Sequence, residues 1–129
     1  VGYLRERGHQ VVDHGTQGSE PVDYPDFALA VARSVAAGAA QLGIVVDGAG
    51  IGSCIVANKV AGVRAANCHD ITTAVNAREH NDANVLALGG GLVGERLALA
   101  IVDAFLATPF AGGRHARRVA KIEALDRRR

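Results

Sequence analysis

Apolar positions along this chain follow two alternating patterns. Residues 42–46 are a short continuous apolar run of strand length, and residues 83–88, largely apolar, read as another strand. Such runs suit a parallel sheet covered on both faces. Around them lie segments with helical spacing. Pro25 opens a helix in which Phe27, Val31 and Val35 recur every four residues, and Gly38 lies near its end. After residue 46 a helix is expected to start within a glycine-rich loop and run to about Lys59. Residues 63–68 read as the next strand. Asp70 is placed to cap a helix through Glu79, because a carboxylate there accepts the free N–H groups of a first turn. A Gly-Gly-Gly turn at 89–91 follows the second apolar run. Residues 94–106 form an amphipathic pattern with Leu97, Ile101 and Phe105 on one face, and a charged helix begins near His115. Upstream, residues 9–14 (HQVVDH) read as a short strand leading into a polar Gly-Thr-Gln-Gly-Ser loop. Residues 1–7 read as the second half of a helix.

Strands alternating with helices predict one α/β domain over residues 1–129. Its expected form is a three-layer, doubly wound, Rossmann-like parallel sheet of flavodoxin-type order. That order places a first strand at the centre of the sheet. No residues here correspond to it, so the sequence predicts a fold with its first strand missing.

Composition narrows the function classes. The 129 residues are 49% hydrophobic, with 14 Lys plus Arg against 13 Asp plus Glu. That balance gives no electrostatic reason to expect nucleic acid or a membrane surface as partner. Cys54 and Cys68 form neither a C-x-x-C nor a zinc spacing, which makes a reducing cytoplasm the default expectation. Cys54 reads as a small buried helical thiol. Three Phe, two Tyr and no Trp supply few stacking surfaces, which argues against a flavin binder. The terminal Arg-Arg-Arg reads as a solvated tail.

Three stretches carry candidate chemistry. In "DGAGIGS", residues 47–53, Asp47 ends a strand and Gly48, Gly50 and Gly52 follow it. Strand C-termini face the ligand crevice of such sheets, and glycines free backbone N–H groups to cradle an anion. The spacing matches neither common nucleotide-binding glycine motif. A tight turn with Asp47 capping the next helix explains it about equally well. In "REHND", residues 78–82, His80 can exchange a proton near neutrality and Asn81 can hold an oxygen. A helix C-terminus with Asn81 left-handed accounts for the same residues. In "GGRHARRV", residues 112–119, Arg114 and Arg118 share a helix face and suit a phosphate. A solvated basic turn is the commoner reading.

Taken together, "VDYPDFA" (22–28), "GAGIGSCIVANKVAGVRAANCHD" (48–70), "REHNDANVLALG" (78–89) and "GGRHARRV" resemble the ribose-5-phosphate isomerase type B family, which includes the galactose-6-phosphate isomerase subunits. The resemblance implies interconversion of aldose and ketose phosphates through an enediolate. It implies His80 as the ring-opening acid/base and Asn81 as an oxygen ligand. Gly48, Gly50 and Gly52, with Ser53, would form the oxyanion and substrate cradle. Arg114 and Arg118 would bind phosphate. No metal or organic cofactor is implied. The expected assembly is a homodimer or dimer of dimers with shared sites.

Two departures accompany it. Where the ribose-type branch often has a cysteine base this chain has Asp47, as the galactose-type subunits do, and where another branch has a glutamate it has Ser53. The family's first strand, with an Asp-His pair, has no counterpart; the chain is truncated, divergent or non-catalytic. Asp47 is accordingly a candidate base, a ligand for a sugar hydroxyl, or a residue of an inactive site. The expected function is sugar-phosphate isomerisation of a pentose or hexose phosphate. The alternative is a non-catalytic phosphosugar-binding or partner subunit.

Overall fold

The computed structural model describes residues 1–15 and 23–128, with side chains through residue 126. Three parallel strands, β1 (Gly43–Asp47), β2 (Ala65–Asn67) and β3 (Val85–Gly89), are interleaved with six helices. These are α1 (Gly2–Glu6), α2 (Tyr24–Ala36), α3 (Ile51–Asn58), α4 (Ile71–Glu79), α5 (Glu95–Ala107) and α6 (Arg114–Ala124), the last followed by a 3₁₀ turn. The α/β class with a parallel sheet is as expected. Among these strands, however, the order is β1-β3-β2, not the sequential succession that a flavodoxin-type order gives. Strand β3 therefore takes the central place, and every one of its residues is buried.

The two faces of β3 organise two cores. Leu86 and Leu88 join Ile101, Val102 and Phe105 of α5 and the alanines of α4 on one side. Val85 and Ala87 join Val45, Ala28, Ala32 and Ala57 on the other, under α2 and α3. Four of the helices thus cover the sheet two to a face, α4 and α5 on one side and α2 and α3 on the other. The spacing of Phe27, Val31 and Val35 marks the right side of α2, but its fully buried positions are Ala28 and Ala32, with Val35. Small side chains let α2 come down onto the sheet. A Cβ on Gly43 would lie 2.7 Å from Val31 Cγ1, so any side chain at the first residue of β1 would displace α2.

Helix ends follow their local chemistry. Asp70 caps α4 as expected, accepting the Thr73 N–H at 2.7 Å. Gly38, at φ +79°, closes α2 with Ala39 N–H donating to the Ser34 carbonyl, a left-handed glycine cap. Gly112 and Gly113, at φ +67° and +55°, turn the chain into α6 through a region that side chains avoid.

Residues 9–14 correct the sequence reading. They form no strand, and Val12 is 67% exposed. Among the described residues β1 pairs only with β3, so no ladder receives this segment; the His9 N–H donates instead to the Leu4 carbonyl at 3.1 Å, closing the end of α1. Strand 63–68 shortens to Ala65–Asn67. The polar loop after residue 15 and the final residue lie outside the described residues. Leu97 is 39% exposed while Ile101 and Phe105 are fully buried, so the α5 stripe narrows to its second half.

Phe105 is the largest fully buried side chain. Phe105→Ala is expected to lower unfolding free energy by about 3–5 kcal/mol, read as a reduced urea midpoint with an unchanged slope.

Candidate active site

The residues singled out in the sequence collect into two groups. The first stands at the C-terminal end of β1. Asp47 closes the strand, and the chain leaves through Gly48-Ala49-Gly50 into α3. Gly50 sits at φ +78°, and a Cβ on it would lie 2.9 Å from the backbone of Leu88. A Cβ on Gly89 would lie 2.7 Å from the Ala49 carbonyl oxygen. The loop is therefore pressed onto the end of β3 by backbone contact. The Gly90 and Gly91 N–H groups donate to the carbonyls of Asp47 and Gly48 at 2.8 and 2.9 Å, which ties the two loops together.

The Asp47 carboxylate turns back onto its own loop. One oxygen accepts the Gly50 N–H. The other accepts the Ser53 N–H at 3.2 Å and the Ser53 Oγ–H at 2.8 Å. Ser53 is buried. The arrangement fastens the loop and caps the first turn of α3. It also means that the Gly50 and Ser53 amides are occupied by the chain's own carboxylate. Ile51 and Gly52 contribute the first-turn N–H groups that have no acceptor among the described residues.

Tyr24, not among the candidates read from the sequence, borders this loop. Its hydroxyl fills the space where a Gly52 side chain would stand, so glycine at 52 makes room for a phenol beside the loop. Its signal in the sequence is its place in "VDYPDFA", directly before the Pro25 that opens α2. Asn67, at the end of β2, also reaches the loop, with its Nδ2 directed at the Ala49 carbonyl at 3.4 Å.

The second group lies at the other end of the sheet, where α4 returns toward the start of β3. His80 and Asn81 follow α4, and the left-handed residue is Asp82 at φ +48°, not Asn81. Asp tolerates that conformation, and Arg78 Nη1 at 3.1 Å and Arg64 Nη2 at 3.4 Å hold its carboxylate. Arg64 also pairs with Glu123 of α6. His115, in the first turn of α6, stacks on His80 with ring centroids 4.3 Å apart and planes 11° from parallel. Arg114 and Arg118 flank it, both exposed, and among the described residues their guanidinium groups make no hydrogen bond or ion pair. An open groove of about 520 Å³ runs beside this group, bordered by Asn76, Asn81, Arg64 and Asp126.

Within one chain the groups do not meet. Asp47 and the glycine loop lie at the C-terminal end of β1, whereas His80 and Asn81 precede the N-terminal end of β3, which pairs with β1 in parallel register. Five residues of strand separate the ends by about 16 Å at ~3.3 Å each. Among the described residues no group of three or more His, Cys, Asp or Glu is placed to hold a metal ion. Among the described residues no helix is long and apolar enough to cross a membrane.

Residues 1–122 match the sequence profile of the Ribose/Galactose Isomerase family. Over 129 residues the chain is 49% identical to ribose-5-phosphate isomerase B of Escherichia coli strain K12, covering 100% of this chain and 87% of that one. It is 46% identical over 122 residues to D-erythrulose-4-phosphate isomerase of Pectobacterium atrosepticum, covering 93% and 80%. The structure of ribose-5-phosphate isomerase B from Clostridium thermocellum superposes with a TM-score of 0.96 at 53% identity, over 98% of this chain and 86% of that one.

The histidine stack has a pH signature. Partial burial, then the neighbouring His80, Arg114 and Arg118, hold the His115 imidazole below its ordinary range. Between that lowered value and the usual ~6.5 of an unfolded chain, the unfolded state binds more protons. The contribution of the neutral ring is thus complete above about pH 6.5 and is lost as pH falls toward the folded value. An NMR titration is expected to show His115 titrating below free imidazole, and His80→Asn is expected to move it upward.

Proposed function

The chain belongs to the ribose/galactose isomerase family, and on that premise we propose that it interconverts an aldose phosphate and a ketose phosphate through an enediolate. The observation that carries this reading is the stack of His115 on His80. It brings a proton-exchanging histidine, the Asn81 amide and the guanidinium groups of Arg114 and Arg118 to one surface. A phosphorylated sugar offers the matching chemistry: a ring oxygen and hydroxyls at one end and a dianion at the other. His80 opens the ring, Asn81 holds a hydroxyl or carbonyl oxygen, and the two arginines take the phosphate. The unpaired N–H groups at the start of α3 stabilise the enediolate oxygen. Asp47, at the carbon to be deprotonated, is the base. Pentose 5-phosphates are the leading substrates, and four-carbon and hexose phosphates are the comparisons to run.

A complete site then combines the glycine loop of one copy with the His80 surface of another, since one chain holds them at opposite ends of its sheet. The assembly that serves this is a homodimer or a dimer of dimers. Mixing two inactive variants, Asp47→Asn and His80→Asn, is expected to restore part of the activity, because each mixed dimer regains one intact site. No recovery in mixtures shown to exchange subunits would place each site within a single chain.

One observation favours the alternative of a non-catalytic phosphosugar-binding subunit: three donors of its own loop already engage the Asp47 carboxylate. Asp47→Asn separates the two readings. If Asp47 is the base, turnover falls at least about a hundredfold while sugar-phosphate binding persists. An Asn variant with normal turnover leaves Asp47 as the fastening of the loop.

Arg114→Ala and Arg118→Ala are each expected to raise the KM for a phosphorylated sugar, with a loss of about 1.5–3 kcal/mol for a charged hydrogen bond. Unchanged affinity in both variants, measured by calorimetry, would show a merely solvated helix.

A further inference from the structure

Asn76 lies on α4, one turn before His80, and belongs to none of the motifs that drew attention to this region. Its side chain touches both residues of the His80–Asn81 pair. Asn81 Nδ2 lies 3.3 Å from the Asn76 backbone carbonyl and 3.0 Å from Asn76 Oδ1. Asn76 Nδ2 lies 3.0 Å from His80 Nδ1. The roles along this chain of contacts are fixed from one end. A backbone carbonyl only accepts, so the Asn81 atom facing it is the NH₂ donor. The Asn76 atom facing that same NH₂ group must then be the oxygen. The remaining Asn76 atom, directed at His80, is its NH₂ group, and His80 Nδ1 must accept. A neutral imidazole that accepts at Nδ1 carries its proton on Nε2. On the far side of the ring, Glu79 Oε1 lies 3.2 Å from Nε2 and can accept that proton's hydrogen bond.

We infer that Asn76 is a positioning residue, one that holds His80 in the Nε2–H tautomer and orients Asn81 through the same amide. The inference rests on the isomerase reading only for its catalytic consequence. Ring opening moves one proton: the ring oxygen gains it as its bond to the anomeric carbon breaks, and the anomeric hydroxyl loses one as the carbonyl forms. With Nε2–H turned from Glu79 Oε1 to the sugar, the neutral His80 ring donates a hydrogen bond to the ring oxygen as its bond to the anomeric carbon breaks, and solvent water carries the proton lost by the anomeric hydroxyl to that oxygen. The imidazole ends as it began, and Nδ1 never leaves Asn76. Stacking on His115 keeps the ring plane from rotating away from this arrangement.

The tautomer is directly measurable by ¹⁵N NMR of the imidazole nitrogens of the intact protein, above the pH at which the ring is charged. Wild type is expected to show His80 protonated at Nε2. Asn76→Asp is the diagnostic variant, because a carboxylate accepts from Asn81 as the amide does but cannot donate to Nδ1. It should draw the proton to Nδ1. Asn76→Ala, which takes away both contacts, should leave a mixture. Turnover on a ring-closed sugar phosphate should fall up to about a hundredfold in Asn76→Asp, with a smaller change in KM. A wild-type ring protonated at Nδ1, or a tautomer unmoved in Asn76→Asp, overturns the assignment. An Nε2–H ring that shifts as expected, in a protein whose turnover ignores His80→Asn, upholds the positioning and removes the isomerase role of His80 instead.

Discussion

Strand β3 is covered on both faces, and its five residues Val85–Gly89 have no exposed side. That constraint sets the rest of the architecture. Because Leu86 and Leu88 face one way and Val85 and Ala87 the other, two separate cores form, and each needs a pair of helices to close it. Because β1 and β2 each pair with β3 in parallel register, their connections must return over the sheet as helices. At its C-terminal end, β3 finishes in Gly89, against which the Ala49 carbonyl is packed too closely for any side chain. The shape of the glycine loop is thus a consequence of how the central strand terminates.

Asp47 and Ser53 complete that loop from within. A carboxylate at a strand end and a buried serine in the next helical turn satisfy each other and the Gly50 amide. Such a loop is rigid before any ligand arrives, which is what preorganised N–H donors require. At the opposite end of the sheet, α6 is attached largely by polar and ring contacts. Arg64 pairs with Glu123, the Gly62 N–H donates to Asp126 at 2.8 Å, and His115 lies on His80. Few apolar residues anchor this helix, and Val119 is its one buried position. Its placement therefore depends on the same histidine that carries the proposed chemistry.

How much of this could be read along the chain differs from element to element. The apolar runs located β1 and β3 to within two residues, and Asp70 announced the start of α4. Residues 9–14 misled, because an apolar pair between polar residues has strand character only when another strand is there to receive its amides. The stripe on α2 was displaced for a related reason: hydrophobic spacing points to large residues, while close packing of a helix on a sheet favours alanine at the contact itself. Tyr24, Asn76 and His115 stood inside or beside stretches already noticed. Each owes its interest to a partner distant in space or one helical turn away, which a motif does not display.

By itself the sequence determined the class of fold, the family and the residue types available for chemistry, since these follow from local spacing and from motifs kept in order along the chain. Only the tertiary structure decided the strand order β1-β3-β2, the inward turn of the Asp47 carboxylate and the tautomer of His80. Strand order depends on which apolar run is apolar on both faces, a comparison among distant segments. The carboxylate and the imidazole are governed by hydrogen-bond donors and acceptors that must be shared out without conflict. That allotment exists only once the loop, the helix end and α6 are held in place together.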